Sequence, residues 1–230
     1  CKRKFYLQYV VKLKEHTISL KPKAYELGDI IHSILEDYYT LDENNIELSF
    51  EKIEILFNKY KSSNPFLIID LEIWKKKLYE FYLLDKQRLT HRKIIALEKS
   101  FSCEFEGIQI KGVIDRIDSY EDKYEVIDYK TSATLSVDTL KNYDKTDDFQ
   151  LEFYYLAMSE MYKTDKIEAY YYDLNNTQLI NEIALDKKLE LLCEKFNELK
   201  EISKNEISFS KCEDKTNCTY CAYSIICNRE

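Results

Sequence analysis

The order of apolar and polar residues changes twice along the chain. From Glu26 to Leu41, residues Leu27, Ile30, Ile31, Ile34, Leu35 and Tyr38 recur at close to 3.6 residues, the spacing of an amphipathic helix with one buried face. Residues 46–61 and 70–90 keep that period and predict two more helices, separated by the Ser62-Ser63-Asn64-Pro65 break, which both caps and interrupts. The period then becomes two. Phe101/Cys103/Phe105, Ile108/Ile110 and Val113/Asp115/Ile117 alternate with their neighbours, and Glu106-Gly107 and Tyr120–Lys123 read as turns, so 94–130 predicts a three-stranded antiparallel meander. A helix at 147–162, a tyrosine-rich strand over Ile167–Leu174, a short strand after Asn175-Asn176 and a charged helix at 185–203 follow. The tail beyond Lys204 is polar and without period. Helices before and after a mixed sheet make an α/β or α+β core, and no repeat or low-complexity linker divides it, so 1–230 reads as a single domain.

Composition narrows the chemistry. A chain of 230 residues that is 45% hydrophobic can bury one sizeable core, which excludes disorder and a disulfide-stapled miniprotein. Gly28, Gly107 and Gly112 are the whole glycine supply, too few for a Walker phosphate loop or a dinucleotide fingerprint, so any ATP-driven motor lies elsewhere. No apolar run approaches the roughly 20 residues that span a bilayer and no signal pattern opens the chain, which leads us to expect a soluble, cytoplasmic protein without a membrane partner. The chain opens on Cys1 and not Met, as a domain excised from a longer polypeptide would. Seven cysteines in a reducing compartment disfavour an all-disulfide framework and favour metal binding.

Net charge is −8, yet residues 1–23 carry seven bases (Lys2, Arg3, Lys4, Lys12, Lys14, Lys21, Lys23) against Glu15, a local balance of +6. A basic segment on an acidic body steers a phosphate chain to one place; a solvated lysine-rich edge is the plain alternative.

The densest chemistry lies in Gly112-Val-Ile-Asp115 and Glu125-Val-Ile-Asp128-Tyr129-Lys130. Strand alternation puts Asp128 and Lys130 on one face and Ile127 and Tyr129 on the other. A carboxylate at the end of a Val-Ile run is costly to bury unless it is paired or binds a cation, and Asp115 sits in a similar setting on the preceding strand. Converging carboxylates offer the hard oxygens that Mg²⁺ prefers, and a lysine on the same face can help activate a bound water and offset phosphate charge. An isolated Asp-x-Lys is usually an ordinary edge pair; the second aspartate changes the odds. On the first long helix, Gly28 one turn before His32 allows close approach, and neutral imidazole can complete a divalent-metal shell. Gln150 and Tyr154, one turn apart, can hydrogen-bond or stack on a substrate strand. In the tail, Cys218-x-x-Cys221-x5-Cys227 can grip one metal centre, and the fourth ligand is either Cys212, closing a zinc knuckle, or a distant cysteine brought in by folding. Cys103 and Cys193 lie in apolar patterns and read as buried thiols.

In this order, Gly28-x-x-x-His32, Gly112-x-x-Asp115, Asp128-Tyr129-Lys130 and Gln150-x-x-x-Tyr154 resemble the RecB-like branch of the PD-(D/E)xK nuclease superfamily. The resemblance implies a restriction-endonuclease-like core, a mixed central sheet flanked by helices. It implies that His32, Asp115, Asp128 and the Tyr129 carbonyl bind Mg²⁺ or Mn²⁺, that Asp115, Asp128 and Lys130 are catalytic, and that Gln150 and Tyr154 handle DNA. Glu98 resembles an acid often found at that point of the family, a surface ion pair being its other reading. Some relatives, the AddB-type subunits and CRISPR-associated nucleases, hold a [4Fe-4S] cluster with one cysteine upstream and three after the core. By that likeness Cys1, Cys218, Cys221 and Cys227 are the cluster ligands, residues 1–25 and 204–230 form the cluster-binding ends, and Cys212 is left over. Lys2 stands where proline commonly follows the first cysteine. The segment Phe5–Lys14 followed by the Gly28/His32 helix is most similar to the nuclease domain of AddB-type helicase–nuclease subunits. The function implied is metal-dependent cleavage of single-stranded DNA, as an exonuclease, beside a helicase subunit or helicase-like region. The alternatives are a free-standing CRISPR-associated exonuclease and a non-catalytic DNA-binding module stapled by a metal.

Overall fold

The computed structural model describes residues 1–13, 24–40, 49–204, 208–219 and 221–229. The chain divides into two compact units, Lys21–Phe196 and a smaller one in which Cys1–Leu20 and Asn197–Glu230 fold together.

In the larger unit, helix α2 (Ala24–Thr40) buries Ile31, Ile34, Leu35, Tyr38 and Tyr39, the face read from the periodicity. Helix α3 (Phe50–Lys59) is shorter at its start than 46–61; Ser49 caps it by accepting from the Lys52 amide at 3.3 Å, and residues 46–48 lie outside those described. Helix α4 (Pro65–Arg88) begins five residues before the expected 70. The Ser-Ser-Asn-Pro segment is a start signal: Asn64 accepts from the Phe66 amide, and Pro65 occupies the first turn, where its missing N–H costs nothing. Strands β1 (Lys93–Phe105), β2 (Ile108–Tyr120) and β3 (Lys123–Lys130) form the expected meander. Helix α5 (Gln150–Tyr162) then crosses over to β4 (Ile167–Asp173), which pairs parallel to β3, and β5 (Gln178–Asn181) closes an antiparallel edge. The sheet order is β1-β2-β3-β4-β5, a mixed five-stranded sheet. Helix α6 (Leu185–Ser203) follows as expected.

Two apolar layers sandwich the sheet. On one face, α2, α3 and α4 pack on Ile127, Tyr129 and Tyr172; on the other, α5 and Leu192 and Phe196 of α6 pack on Phe101, Ile110, Ile117, Val126 and Tyr171. The helix layers and mixed sheet are those of a restriction-endonuclease-like core. No helix among the described residues is long and apolar enough to cross a membrane.

The smaller unit holds helix α1 (Lys2–Phe5), continuing into a π-helical turn at Tyr6–Val10, neither of which the polar-apolar pattern predicts. Arg3 donates its amide to the Ser210 carbonyl at 3.1 Å, Tyr6 packs on Phe209, and the Tyr223 hydroxyl donates to the Leu13 carbonyl at 2.9 Å. Of the basic segment, Lys14, Lys21 and Lys23 lie outside the described residues, as does Glu15.

Candidate active site

The β2–β3 pairing brings the aspartates together. Asp115 and Asp128 are both buried, at 7% and 1% exposure. Asp115 Oδ2 accepts the backbone N–H of Tyr129 at 2.8 Å, which fixes the carboxylate against β3. The Tyr154 hydroxyl bridges the two acids, 3.2 Å from Asp128 Oδ1 and 3.5 Å from Asp115 Oδ1. Lys130 Nζ lies 2.7 Å from Asp128 Oδ2 as an ion pair and donates to Gln150 Oε1 at 2.6 Å. Gln150 in turn donates its amide N–H to the Tyr154 hydroxyl at 2.9 Å. Asp128, Lys130, Gln150 and Tyr154 thus form one connected chain.

His32 enters from α2. Its Nε2 donates to the Tyr129 carbonyl at 3.0 Å, which leaves Nδ1 facing Asp115 Oδ2 at 3.5 Å. Burial holds the imidazole below its ordinary pKa, against the pull of Asp128 and the Tyr129 carbonyl, so the ring is neutral with a lone pair turned to the acids. A Cβ on Gly28 would stand 3.4 Å from Thr131 Oγ1, an ordinary van der Waals contact, so the close approach expected of this glycine does not depend on its missing side chain.

Glu98 completes the cluster. Flanked by the pairs Leu97↔Arg116 and Lys99↔Ile114, it faces Asp115 across β1–β2, with a left-handed φ of +43° that is uncommon for a non-glycine residue. Such strain persists where the surroundings impose it, and it gathers at functional sites. One donor atom each from His32, Glu98 and Asp115 lies within 4.8 Å of the others, a spacing suited to one cation. Glu98 is therefore part of the cluster, and its reading as a surface ion-pair partner is not what the structure displays. Asp128 is not a member of that trio; its carboxylate is engaged by Lys130 and Tyr154.

The electrostatics suit a cation. Burial, reinforced by the charge of Asp128, pushes the Asp115 carboxyl up to about 8, although the Tyr129 amide and Lys130 oppose it. Burial also raises Asp128 against the opposing pull of Lys130, and raises Glu98, with Glu36 and Asp128 adding to it. Buried carboxylates that resist ionisation lack positive charge, and a divalent ion supplies it.

Tyr154 is positioned through a glycine. A Cβ on Gly112 would meet the Phe101 ring at 2.8 Å, so the ring can lie over β2 only because residue 112 has no side chain. From there Phe101 packs edge-on to Tyr154, with ring centroids 6.3 Å apart.

The family model of the PD-(D/E)XK nuclease superfamily matches residues 1–228. The chain belongs to the PD-(D/E)XK nuclease superfamily. Among solved structures it is similar to one titled "Crystal structure of SSO0001", at 19% identity over 99% of this chain and 93% of that one, with a TM-score of 0.31. No curated protein matches it. PD-(D/E)XK nucleases use divalent metals, and the His32–Glu98–Asp115 trio gives this nuclease domain a place for one.

Five of the seven cysteines, Cys1, Cys212, Cys218, Cys221 and Cys227, belong to the smaller unit. Cys1, Cys212, Cys218, Cys221 and Cys227 all line one cavity, with Lys4, Lys211 and Arg229 also in its wall. Cys212 Sγ lies 3.6 Å from Cys218 Sγ, so the cysteine left over by the family pattern is in the same pocket as the four assigned ones. Five thiols and three cationic side chains thus share one pocket wall. Cys103 is buried on β1, as its pattern indicated.

Proposed function

We propose that the chain is a Mg²⁺- or Mn²⁺-dependent deoxyribonuclease that hydrolyses phosphodiester bonds in single-stranded DNA. The observation that carries the reading is the meeting of His32, Glu98 and Asp115 beside the Asp128–Lys130 pair, on a β2–β3 scaffold of the nuclease superfamily. His32, Glu98 and Asp115 would hold the cation, with Asp128 and the Tyr129 carbonyl next to them. A divalent ion bound there would supply Lewis acidity, lowering the pKa of a water and polarising a phosphate oxygen. Asp128 and Gln150 fix the Lys130 ammonium from two sides, so that it faces the scissile phosphate and offsets the charge that builds on its oxygens. Tyr154 keeps the two aspartates in register through its hydroxyl.

In the same proposal, Cys1, Cys218, Cys221 and Cys227 hold a [4Fe-4S] cluster, and the chain serves as the nuclease domain of an AddB-type helicase–nuclease. The four thiols lining one cation-walled cavity support the first part; the resemblance of the Phe5–Lys14 segment supports the second. Anaerobic purification, iron analysis and a visible spectrum test the cluster. Brown protein that loses colour on Cys1→Ser but not on Cys212→Ser supports this ligand set, and zinc with indifference to Cys1 overturns it.

Cleavage of an end-labelled single-stranded oligonucleotide with Mg²⁺ tests the activity. Lys130→Ala is expected to slow it by about 10²–10⁴-fold, the weight of one positioned proton-transfer or charge-stabilising group. Wild-type rates in Lys130→Ala and Asp128→Ala would remove the assignment.

A further inference from the structure

Beside the Lys130–Gln150–Tyr154 chain lies a groove that the catalytic reading does not use. It encloses about 440 Å³. Gly112 and Ile110 of β2 and the Phe101 ring line it from the sheet, Phe153 and Tyr154 from α5, and Phe196 from α6. Phe153 and Phe196 present a tilted ring pair with centroids 6.2 Å apart. Gln109, Gln150 and the exposed Lys111 are its other polar lining residues beside Tyr154.

A concave, mostly apolar site of this size with few polar groups is the usual form of a pocket for a small planar group. Two of its residues also belong to the candidate active site: Gln150 accepts from Lys130, and Tyr154 donates to Asp128. Because Gln150, bonded to Lys130, lines the groove, a strand with its phosphate at Lys130 would have a neighbouring base beside it. Lys111 puts a positive charge in the same lining, on a chain whose net charge is −8. Aromatic rings accept any base by its face, whatever its hydrogen-bonding edge. A base in a duplex is stacked and paired, and must be unstacked to enter such a groove.

We propose that this groove is a base-binding subsite, which takes the unpaired nucleobase next to the phosphate being cut and so selects single-stranded DNA. The proposal rests on the nuclease reading above and adds to it a source of strand selectivity. Gly112 keeps the groove open, since a side chain at that position would push the Phe101 ring out of place.

The test is a set of single-stranded oligonucleotides, each with one abasic nucleotide at a different position, given to the wild-type chain and to Phe153→Leu, which keeps apolar volume but removes a ring face. One abasic position beside the scissile bond is expected to raise KM for the wild type about 5- to 150-fold, the weight of one stacked base. In Phe153→Leu that position-specific penalty is expected to shrink to under threefold. Equal KM across the series in the wild type, or an unchanged penalty in Phe153→Leu, overturns the subsite while leaving the nuclease reading intact. A wild-type chain that cuts no DNA overturns the nuclease reading instead. The same series read by fluorescence anisotropy without added metal then tests the groove by itself, with the same abasic-dependent loss expected and its absence counting against it.

Discussion

On one face of the β2–β3 pair three arginines meet three carboxylates; on the other, three carboxylates meet one lysine. In the first, Arg116, at 0% exposure, donates to Asp85 at 2.9 Å and to Asp118 at 2.8 Å. Arg88 donates to Asp118 at 2.6 Å and also binds Glu125, which Arg92 grips through two nitrogens. Positive and negative charges balance there, and the Tyr39 hydroxyl adds a donor to Asp85. In the second, Asp115, Asp128 and Glu98 have one cation, Lys130, beside a neutral imidazole and the Tyr129 amide and Tyr154 hydroxyl donors, and all three acids are raised. Both groups are mostly buried, so burial alone does not mark the functional one. The difference is the unbalanced sum: a charge-balanced network has no excess for an ion to neutralise, whereas an acid excess in a dry place is stabilised by a cation. Tyr129 joins the two, its hydroxyl accepting from Arg116 at 3.2 Å while its own amide and carbonyl meet Asp115 and His32.

Breaking the balanced face gives the largest stability effect. Arg116→Met leaves Asp85 and Asp118 short of charge and is expected to cost about 3–5 kcal/mol in urea unfolding. Asp115→Asn removes a charge from the unbalanced face, and the metal-free protein is expected to gain stability above pH 8. If both substitutions destabilise alike, the contrast fails.

The pH dependence separates the faces further. The Asp115 carboxyl is raised from 3.8 to about 8 on folding, so between those values the folded chain keeps a proton that the unfolded chain releases. Its contribution makes the metal-free protein less stable as pH climbs from about 4 to about 8, with no further change above. Urea midpoints at pH 5, 6, 7 and 8.5 measure this slope. Asp115→Asn is expected to flatten it, and Mg²⁺ or Mn²⁺ to reverse it.

Smaller effects sharpen the comparison. Glu98→Gln keeps the shape of the acid face but lowers its charge, and metal affinity, read by Mn²⁺ titration, is expected to fall about 10-fold, within the range for altered metal surroundings. Tyr129→Phe removes the one side-chain hydrogen bond from Arg116 to the strand that carries Asp128, at a cost of about 1 kcal/mol in unfolding.

Alternation alone was enough to read the meander and to put Asp128 and Lys130 on one face, because a period of two leaves no choice of side. Helical spacing likewise joined Gln150 to Tyr154 and gave the buried face of α2. Two features escaped it. By periodicity Glu98 is one more polar position on a strand; the family resemblance singled it out, and its positive φ and its closeness to His32 and Asp115 give its company. Arg116 and Asp118 look like ordinary polar residues beside Ile117, since their partners Asp85 and Arg88 lie about 30 residues away on α4, a contact that no local period encodes. The start of α4 was misplaced for a simpler reason: Asn-Pro signals a break and a cap with the same two residues, and only the structure separates them.

The central claim is that the acid excess on one face of β2–β3 is a divalent-metal site. Calorimetric titration of the metal-free chain with Mn²⁺ at pH 7, repeated in two buffers of different ionisation heat, tests it most directly. Because Asp115 holds its proton up to about 8, binding is expected to release close to one proton per ion, and Asp115→Asn to abolish that release. Mn²⁺ binding with no proton release, or with the same release in Asp115→Asn, would contradict the account.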